Sequence, residues 1–536
     1  MAATSPLHRS MAVLVTVTIA LSLSWLAPLP RAHGSRVPRT VSRIVHVPLR
    51  TLVPETGPAS LRIADGELLA VAPVRTVPQR VCGPMWSTMV AFAWQQQGDG
   101  SVSTSVVTDA GTRPAILQDQ DADPDMRTPE YHAARRTSPL YWTRGTRCVR
   151  FAMRLPSGAG ISELRADFLN TSGTADGPGT GPGPSRVSAA WDPPGGPLGM
   201  TSASAMTDRP AMVTRAEWGA VAPRKHCLGY APSIRMAYIH HTSGSNRYSP
   251  AQSDDIVRGI QHYHEFMRGY CDIAYNFLVD RYGTVFVGRF NSDNTAVNVI
   301  PGSQMGFNTS TFSVSAMGNF QSAPPPAATI DAIERVVAWR LDVAHLRPTA
   351  TATMTSSGGS TTRYHDGQTV KLPLISGHRQ TGITDCPGDR IWNQLDAIRE
   401  AIFDLGRPKL FHPLQSDDSI SPAVESDVFT ARGSDDMRWQ VDVADASETV
   451  VRSLSAEGRW LQVAWDGTND LGLPVPPGTY TVTIWGQTVD ARTARAATLS
   501  VTVAGVPEPT PSPTTSSTPT PIPTPTPTPS STPAPT

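Results

Sequence analysis

Apolar and polar positions alternate in different ways along this chain, and the changes of rhythm divide it. Between residues 81 and 171 short apolar runs (87–94, 101–107, 148–155 and 163–169) are separated by turn-forming residues. The run 101–107, Ser-Val-Ser-Thr-Ser-Val-Val, has the partial period of two of a half-buried strand. This predicts a β-rich accessory domain over 81–171. The preceding stretch, 35–80, is rich in Pro, Arg and Val without a clear period and reads as irregular. From 208 to 408 strands and helices mix. Residues 234–239 read as a strand, and Ser249-Pro250 opens a helix: Ser caps, Pro suits the first turn, and Ile256, Ile260 and Tyr263 share a face. The runs 275–279 and 284–287 flank Asp280-Arg-Tyr-Gly283, a hairpin turn. Two more helices are expected over 330–346 and 391–405. The prediction here is a central α/β domain, a mixed β-sheet with packed helices. A strand rhythm returns over 410–504, ending in 479–485 and 497–503.

Composition adds the connections. Residues 172–207 are loaded with Gly and Pro and read as a linker, and 505–536 is a Pro/Thr/Ser-rich tail expected to be extended and disordered. At the other end His8 and Arg9 precede an apolar run from Met11 to Leu26, followed by small residues at Ala32 and Gly34. That order is the plan of a cleaved signal peptide over 1–34, so a secreted, possibly wall-associated protein with no membrane span after cleavage is expected. Lys+Arg and Asp+Glu both number 45, so no strong field draws the chain to nucleic acid. In an exported chain the five cysteines invite pairing, Cys82 with Cys148 and Cys227 with Cys271, each within one proposed domain. Cys386 is then left over, and a thiolate in an oxidising compartment is easiest to understand on a metal.

Three residues of the central domain carry the chemistry. His240 closes the strand 234–239, and His378 and Cys386 lie eight apart in Ser376-Gly-His-Arg-Gln-Thr-Gly-Ile-Thr-Asp-Cys-Pro-Gly388. Two imidazoles and a thiolate form a three-ligand set that suits Zn2+ with a fourth position open, where a bound water becomes acidic near neutral pH. Spacing alone leaves packed histidines as an equal reading, and His241, His262 and His264 compete for the role.

An ordered series of motifs decides between them. Arg215-Ala-Glu-Trp-Gly-Ala220, Ile239-His-His-Thr242, Asp272-Ile-Ala-Tyr-Asn-Phe277, Gly288-Arg289, Gly306-Phe-Asn-Thr309, Ala316-Met-Gly-Asn-Phe320, Gly377-His-Arg379 and Cys386-Pro-Gly388 together resemble the peptidoglycan recognition protein and phage-lysozyme-type family of N-acetylmuramoyl-L-alanine amidases. The resemblance implies zinc on His240, His378 and Cys386, a catalytic Tyr275, and Thr384 in a supporting catalytic place. It implies hydrolysis of the lactyl–L-alanine amide of peptidoglycan; a monomer is expected. The alternative is a receptor that grips muropeptides without cutting them; non-catalytic relatives typically lack the cysteine, which is present here. His241, His262 and His264 are then assigned to structure or surface. Val287 stands where relatives commonly have Glu, and Pro301-Gly-Ser-Gln-Met305 replaces a His-bearing segment. Both departures, Val287 and Ser303 among them, are expected on the groove wall, where they bear on stem-peptide preference. Residues 410–504, with Trp465-Asp-Gly-Thr-Asn-Asp-Leu-Gly472 and Pro477-Gly-Thr-Tyr480, resemble the immunoglobulin-like module of flagellar hook-capping proteins, a β-sandwich.

Overall fold

Short extended segments begin the described chain, and they correct the reading of 35–80 as irregular. The computed structural model describes residues 40–98, 100–118, 123–132, 136–172 and 207–505. The proposed signal peptide, the interior of the linker and the Pro/Thr/Ser tail lie outside the described residues. Val41–His46 pairs antiparallel with Gly160–Asn170, Leu61–Ala64 with Glu67–Ala70, and Val74–Arg75 with the end of Leu140–Leu155. Prolines 48, 54, 58, 73 and 78 cut this stretch into strands of six residues or fewer, too short for a period to register. These strands complete a sheet whose middle is Gln79–Gln97, Leu140–Leu155 and Gly160–Asn170. The Cys82–Cys148 disulfide joins directly paired positions of two of them.

The central region is built on five strands: β1 (Met236–His241), β2 (Phe277–Val279), β3 (Val285–Val287), β4 (Thr311–Ala316) and β5 (Ile375–Gly377). Their order is β3-β2-β4-β1-β5, with β1 parallel to both β4 and β5 and the β2–β3 hairpin antiparallel. Parallel strands need cover on both faces, and β1 is buried at every position. Ala237 and Ile239 face a core shared with the helix Ala327–Val343 through Ile333, Val336, Val337 and Leu341. Met236 and Tyr238 face Phe307, Met354 and Leu372 on the other side. The helix expected over 391–405 is two pieces, Asp389–Trp392 and Leu395–Asp404, broken at Asn393 and Gln394. The second disulfide is Cys227–Cys271.

The helix α1 (Pro250–His262) starts as the sequence predicts, with Ser249 and Gln252 closing a capping box and Pro at the first turn. Its apolar face does not turn to the central sheet alone. Ile256, Val257 and Ile260 join Met89, Leu117, Leu140 and Trp142 of the N-terminal sheet in one continuous core that also takes in Tyr275 and Leu278. The approach is so close that a Cβ on Gly259 would lie 2.3 Å from the Met89 sulfur. The N-terminal β region is therefore packed into the central fold rather than strung before it.

Six strands from Leu410–Gln415 to Ala497–Val503 form the C-terminal sheet around Trp439, Trp465, Tyr480 and Val501. The Tyr480 hydroxyl donates to the Pro476 carbonyl at 2.7 Å, a tyrosine corner that ties a strand start to its preceding turn. Arg495 reaches back to the buried Asp342 of the central region at 2.9 Å. Among the described residues no helix is long and apolar enough to cross a membrane.

Candidate metal centre

Adjacent parallel strands in register carry two of the candidate residues to the same end of the sheet. Ile239 of β1 pairs with Gly377 of β5, and the next residue along the chain from each is a histidine, His240 within β1 and His378 just past the end of β5. Strands about 4.8 Å apart bring two such side chains together at the carboxyl ends of the strands, where open α/β sheets place their sites. The loop after His378 then returns, with the Arg379 amide donating to the Cys386 carbonyl at 2.8 Å, and delivers Cys386. Ligand atoms of His240, His378 and Cys386 all lie within 4.8 Å of one another, and His240 Nδ1 stands 3.6 Å from Cys386 Sγ. Both disulfides are made without Cys386.

The family model for N-acetylmuramoyl-L-alanine amidases matches residues 230–389, and that for the FlgD Ig-like domain matches 427–490. Peptidoglycan-recognition protein SC2 of Drosophila simulans is 31% identical over 185 residues, which are 34% of this chain and 84% of that protein. The chain belongs to the peptidoglycan recognition protein family. Peptidoglycan recognition protein 1 of Bos indicus is 29% identical over 197 residues, 36% of this chain and 87% of its own. Among solved structures, Drosophila PGRP-LB is 23% identical, covers 35% of this chain and 93% of its own, and has a TM-score of 0.28.

Within this peptidoglycan recognition domain the pleat of β1 separates two neighbouring histidines. His240 points to the cluster, whereas His241 points to the opposite face. There its Nδ1 accepts from the Phe320 amide at 3.2 Å and its Nε2 pairs with the Ser243 hydroxyl at 2.8 Å. His262 meets Asp167 at 3.1 Å, and His264 Nδ1 accepts from the Ala274 amide at 3.2 Å. All three are buried, so the surface half of their assignment is corrected: they are internal struts that no spacing rule separates from ligands. Burial, then neighbouring His378, holds His240 well below the usual imidazole range, and burial followed by His241 brings His378 down to about 3.

Tyr275 is placed beside His240, 5.4 Å between ring centroids. The Thr384 hydroxyl oxygen accepts from the Cys386 amide at 3.0 Å and so braces the cysteine loop. Of the two groove-wall departures, Val287 is a buried hairpin residue whose carbonyl accepts the Trp218 indole N–H at 2.8 Å. Ser303 stays near the site, because its hydroxyl donates to Gln304 Oε1 at 2.5 Å.

Gln304 is the residue that sequence reasoning missed. Its Nε2 donates to Thr311 Oγ1 at 2.6 Å, which leaves Oε1 to face His240 Nε2 at 3.2 Å. Since Oε1 can only accept, His240 carries its proton on Nε2 and presents the Nδ1 lone pair toward Cys386. Gln118 was missed as well: this N-terminal residue donates from Nε2 to the Tyr275 hydroxyl at 3.0 Å. The four residues of the cluster are sealed, with His240 and Tyr275 1% exposed, His378 3% and Cys386 0%.

Proposed function

We propose that this chain is a secreted, zinc-dependent N-acetylmuramoyl-L-alanine amidase that hydrolyses the amide between the muramic lactyl group and the L-alanine of the peptidoglycan stem. The observation that carries the reading is the convergence of His240, His378 and Cys386 beside the Tyr275 ring. The donor set fits zinc on three counts. Two ligands of one tetrahedral zinc lie roughly 3.4–3.7 Å apart given bonds of ~2.1 and ~2.3 Å, and the 3.6 Å between His240 Nδ1 and Cys386 Sγ falls in that range. His378 Nδ1 is buried with no hydrogen-bond partner among the described residues, a cost that a bound cation removes. Both imidazoles are held neutral by burial, the form in which they ligate.

Among the described residues the cluster offers three protein ligands rather than four, which leaves a coordination position for chemistry and argues against a purely structural ion. When bound, zinc supplies a Lewis acid for the scissile carbonyl and for an attacking water. The chain's own groups do the rest. Gln304 fixes the tautomer and orientation of His240, and Thr384 holds the loop that presents Cys386. Gln118 donates to the oxygen of Tyr275 and so holds the hydroxyl in place, where it would hydrogen-bond the carbonyl oxygen as it gains charge and pass a proton to the departing amine of L-alanine. Secretion is supported by the apolar leader Met11 to Leu26 and by two disulfides in one chain.

The test is to incubate the full chain with peptidoglycan, with chelator and after zinc return, and to follow free stem peptides beginning at L-alanine by mass spectrometry. Release that stops on chelation, resumes with zinc and is absent in Cys386→Ser is the expected result. Binding of peptidoglycan with no release under any of these conditions would overturn the enzyme in favour of a receptor.

A further inference from the structure

The N-terminal sheet also reaches across the recognition domain. After the strand Ala115–Gln118 the chain leaves the sheet and rejoins it at Arg136–Thr137. The described part of this excursion, residues 123–132, forms an arm that is latched along the site side of the domain. Asp123 meets Arg268 at 2.5 Å and the Tyr270 hydroxyl at 3.0 Å. Asp125 accepts from the Gly306 amide at 2.7 Å and from Asn308 Nδ2 at 2.9 Å, on the same turn whose Gln304 holds His240. Glu130 spans Arg289 with both oxygens, at 3.1 and 2.6 Å, and takes the Cys271 amide at 3.0 Å. At the root of the arm Gln118 sits on the Tyr275 hydroxyl.

Two features separate this arm from an ordinary domain contact. First, with the arm in place the ligand cluster and Tyr275 are at most 3% exposed, which no polymer strand can reach. Second, its hold is polar. Of the arm's described residues only Pro124, Asp125 and Glu130 are buried, and two of those are carboxylates. Arg127 pairs with Asp366 in the open. Leu117, by contrast, anchors the root in the shared core. Every acid of the arm is met by a donor of the recognition domain, and a peptidoglycan stem is itself a peptide with several carboxylates.

We propose that the arm 123–132 is a built-in block of the muropeptide groove. Asp123, Asp125 and Glu130 occupy Arg268, the Gly306–Asn308 turn and Arg289, donors that receive the carboxylates of an acidic stem peptide once the arm lifts. The proposal rests on the reading of His240, His378, Cys386 and Tyr275 as the reacting site.

The experiment uses the full chain and a fluorescein-labelled N-acetylmuramoyl pentapeptide. Binding is followed by anisotropy with chelator present, so that no turnover intervenes, and hydrolysis is followed separately with zinc. Arg127→Cys with Asp366→Cys, joined by a short bismaleimide, locks the arm while leaving all its acids in place; wild type treated with the same reagent is the control. Asp123→Asn with Glu130→Gln loosens it. The locked protein is expected to bind the probe at least tenfold more weakly than wild type and the loosened one at least tenfold more tightly. Equal binding in locked and unlocked protein overturns the block, as does weaker or absent binding in the loosened variant, the result if the arm instead builds the site. Binding shifts of the expected sign without release of stem peptide in any variant would leave the block standing and overturn the amidase.

Discussion

Replacing Gln304 by leucine tests how the metal centre is prepared, and its size follows from the hydrogen bonds. Gln304 gives His240 one contact, Oε1 to Nε2 at 3.2 Å, inside a network with Ser303 and Thr311. A net neutral hydrogen bond contributes roughly 1 kcal/mol. Without an acceptor at Nε2 the neutral imidazole no longer prefers the tautomer whose Nδ1 lone pair faces Cys386, which adds a further fraction. Removing such a supporting partner typically weakens metal binding ~10–100-fold, or about 1.4–2.8 kcal/mol at 1.4 kcal/mol per decade. Gln304→Leu is therefore expected to raise the zinc Kd by at least tenfold. Gln304→Glu, which keeps an acceptor at the same place, is expected to bind zinc at least as tightly as wild type. Competition between zinc-free protein and a chromophoric chelator at fixed pH measures both. A leucine variant within twofold of wild type would refute the argument, because His240 would then be oriented by something other than Gln304.

Tyr275→Phe removes one hydroxyl from a packed ring, so zinc affinity is expected to hold while stem-peptide release falls by ~100-fold or more, the usual scale for a lost proton donor; turnover near wild type removes Tyr275 from the chemistry. Met89→Ala opens a cavity in the core shared by both β-regions and α1. It is expected to cost ~2–5 kcal/mol and to speed hydrogen exchange of the amides from Ile256 to Ile260; unchanged exchange there would mean that the two regions fold independently. Lys409 is buried, with its ammonium on Thr207 Oγ1 at 3.1 Å, and burial, partly offset by Asp342, brings it from 10.5 down to about 8. Its folded pKa lies below its unfolded one, so the unfolded chain binds more protons between about pH 8 and 10.5, and the penalty present below pH 8 fades as pH rises through that window. Lys409→Met is expected to stabilise the chain at pH 7 by up to ~3 kcal/mol and to flatten the urea midpoint between pH 7 and 10; parallel curves for the two proteins would contradict this.

Much of the site could be read before the fold was known, and the reason is local. His240 lies next to the end of a strand whose six residues are all apolar, aromatic or histidine, and His378 follows directly on the short strand Ile375–Gly377. What the motifs could not say is that Ile239 and Gly377 are register partners, the fact that makes the two histidines neighbours. The tyrosine corner at Tyr480 was legible because turn residues and aromatic lie within four positions. Gln304 was not, since a glutamine in a loop has no periodicity and its value lies in an acceptor aimed at a residue 64 positions away. The strands between Val41 and Arg75 were hidden by their own brevity, each pairing with a segment that the local pattern does not contain.

The packing of the N-terminal β region into the recognition domain was not legible in the sequence. Their contact is invisible to local pattern because each half supplies a face that looks complete: Met89 and Trp142 alternate correctly for a sheet, and Ile256 and Ile260 repeat correctly for a helix. Amphipathic faces specify that something covers them, not what does. Yet Gly259 marks the answer. A residue without a side chain in the middle of α1 costs the helix about 1 kcal/mol relative to alanine. It sits where the Met89 sulfur comes within 2.3 Å of the absent Cβ. The same apposition that demands a glycine sets the strand Ala115–Gln118 beside Tyr275 and starts the arm toward Arg268 and Arg289. A polypeptide of the recognition domain alone would keep the ligand cluster but expose Ile256, Val257 and Ile260 and leave Arg289 without Glu130. Its activity, if it folded, would report on an open groove and not on the chain as it stands.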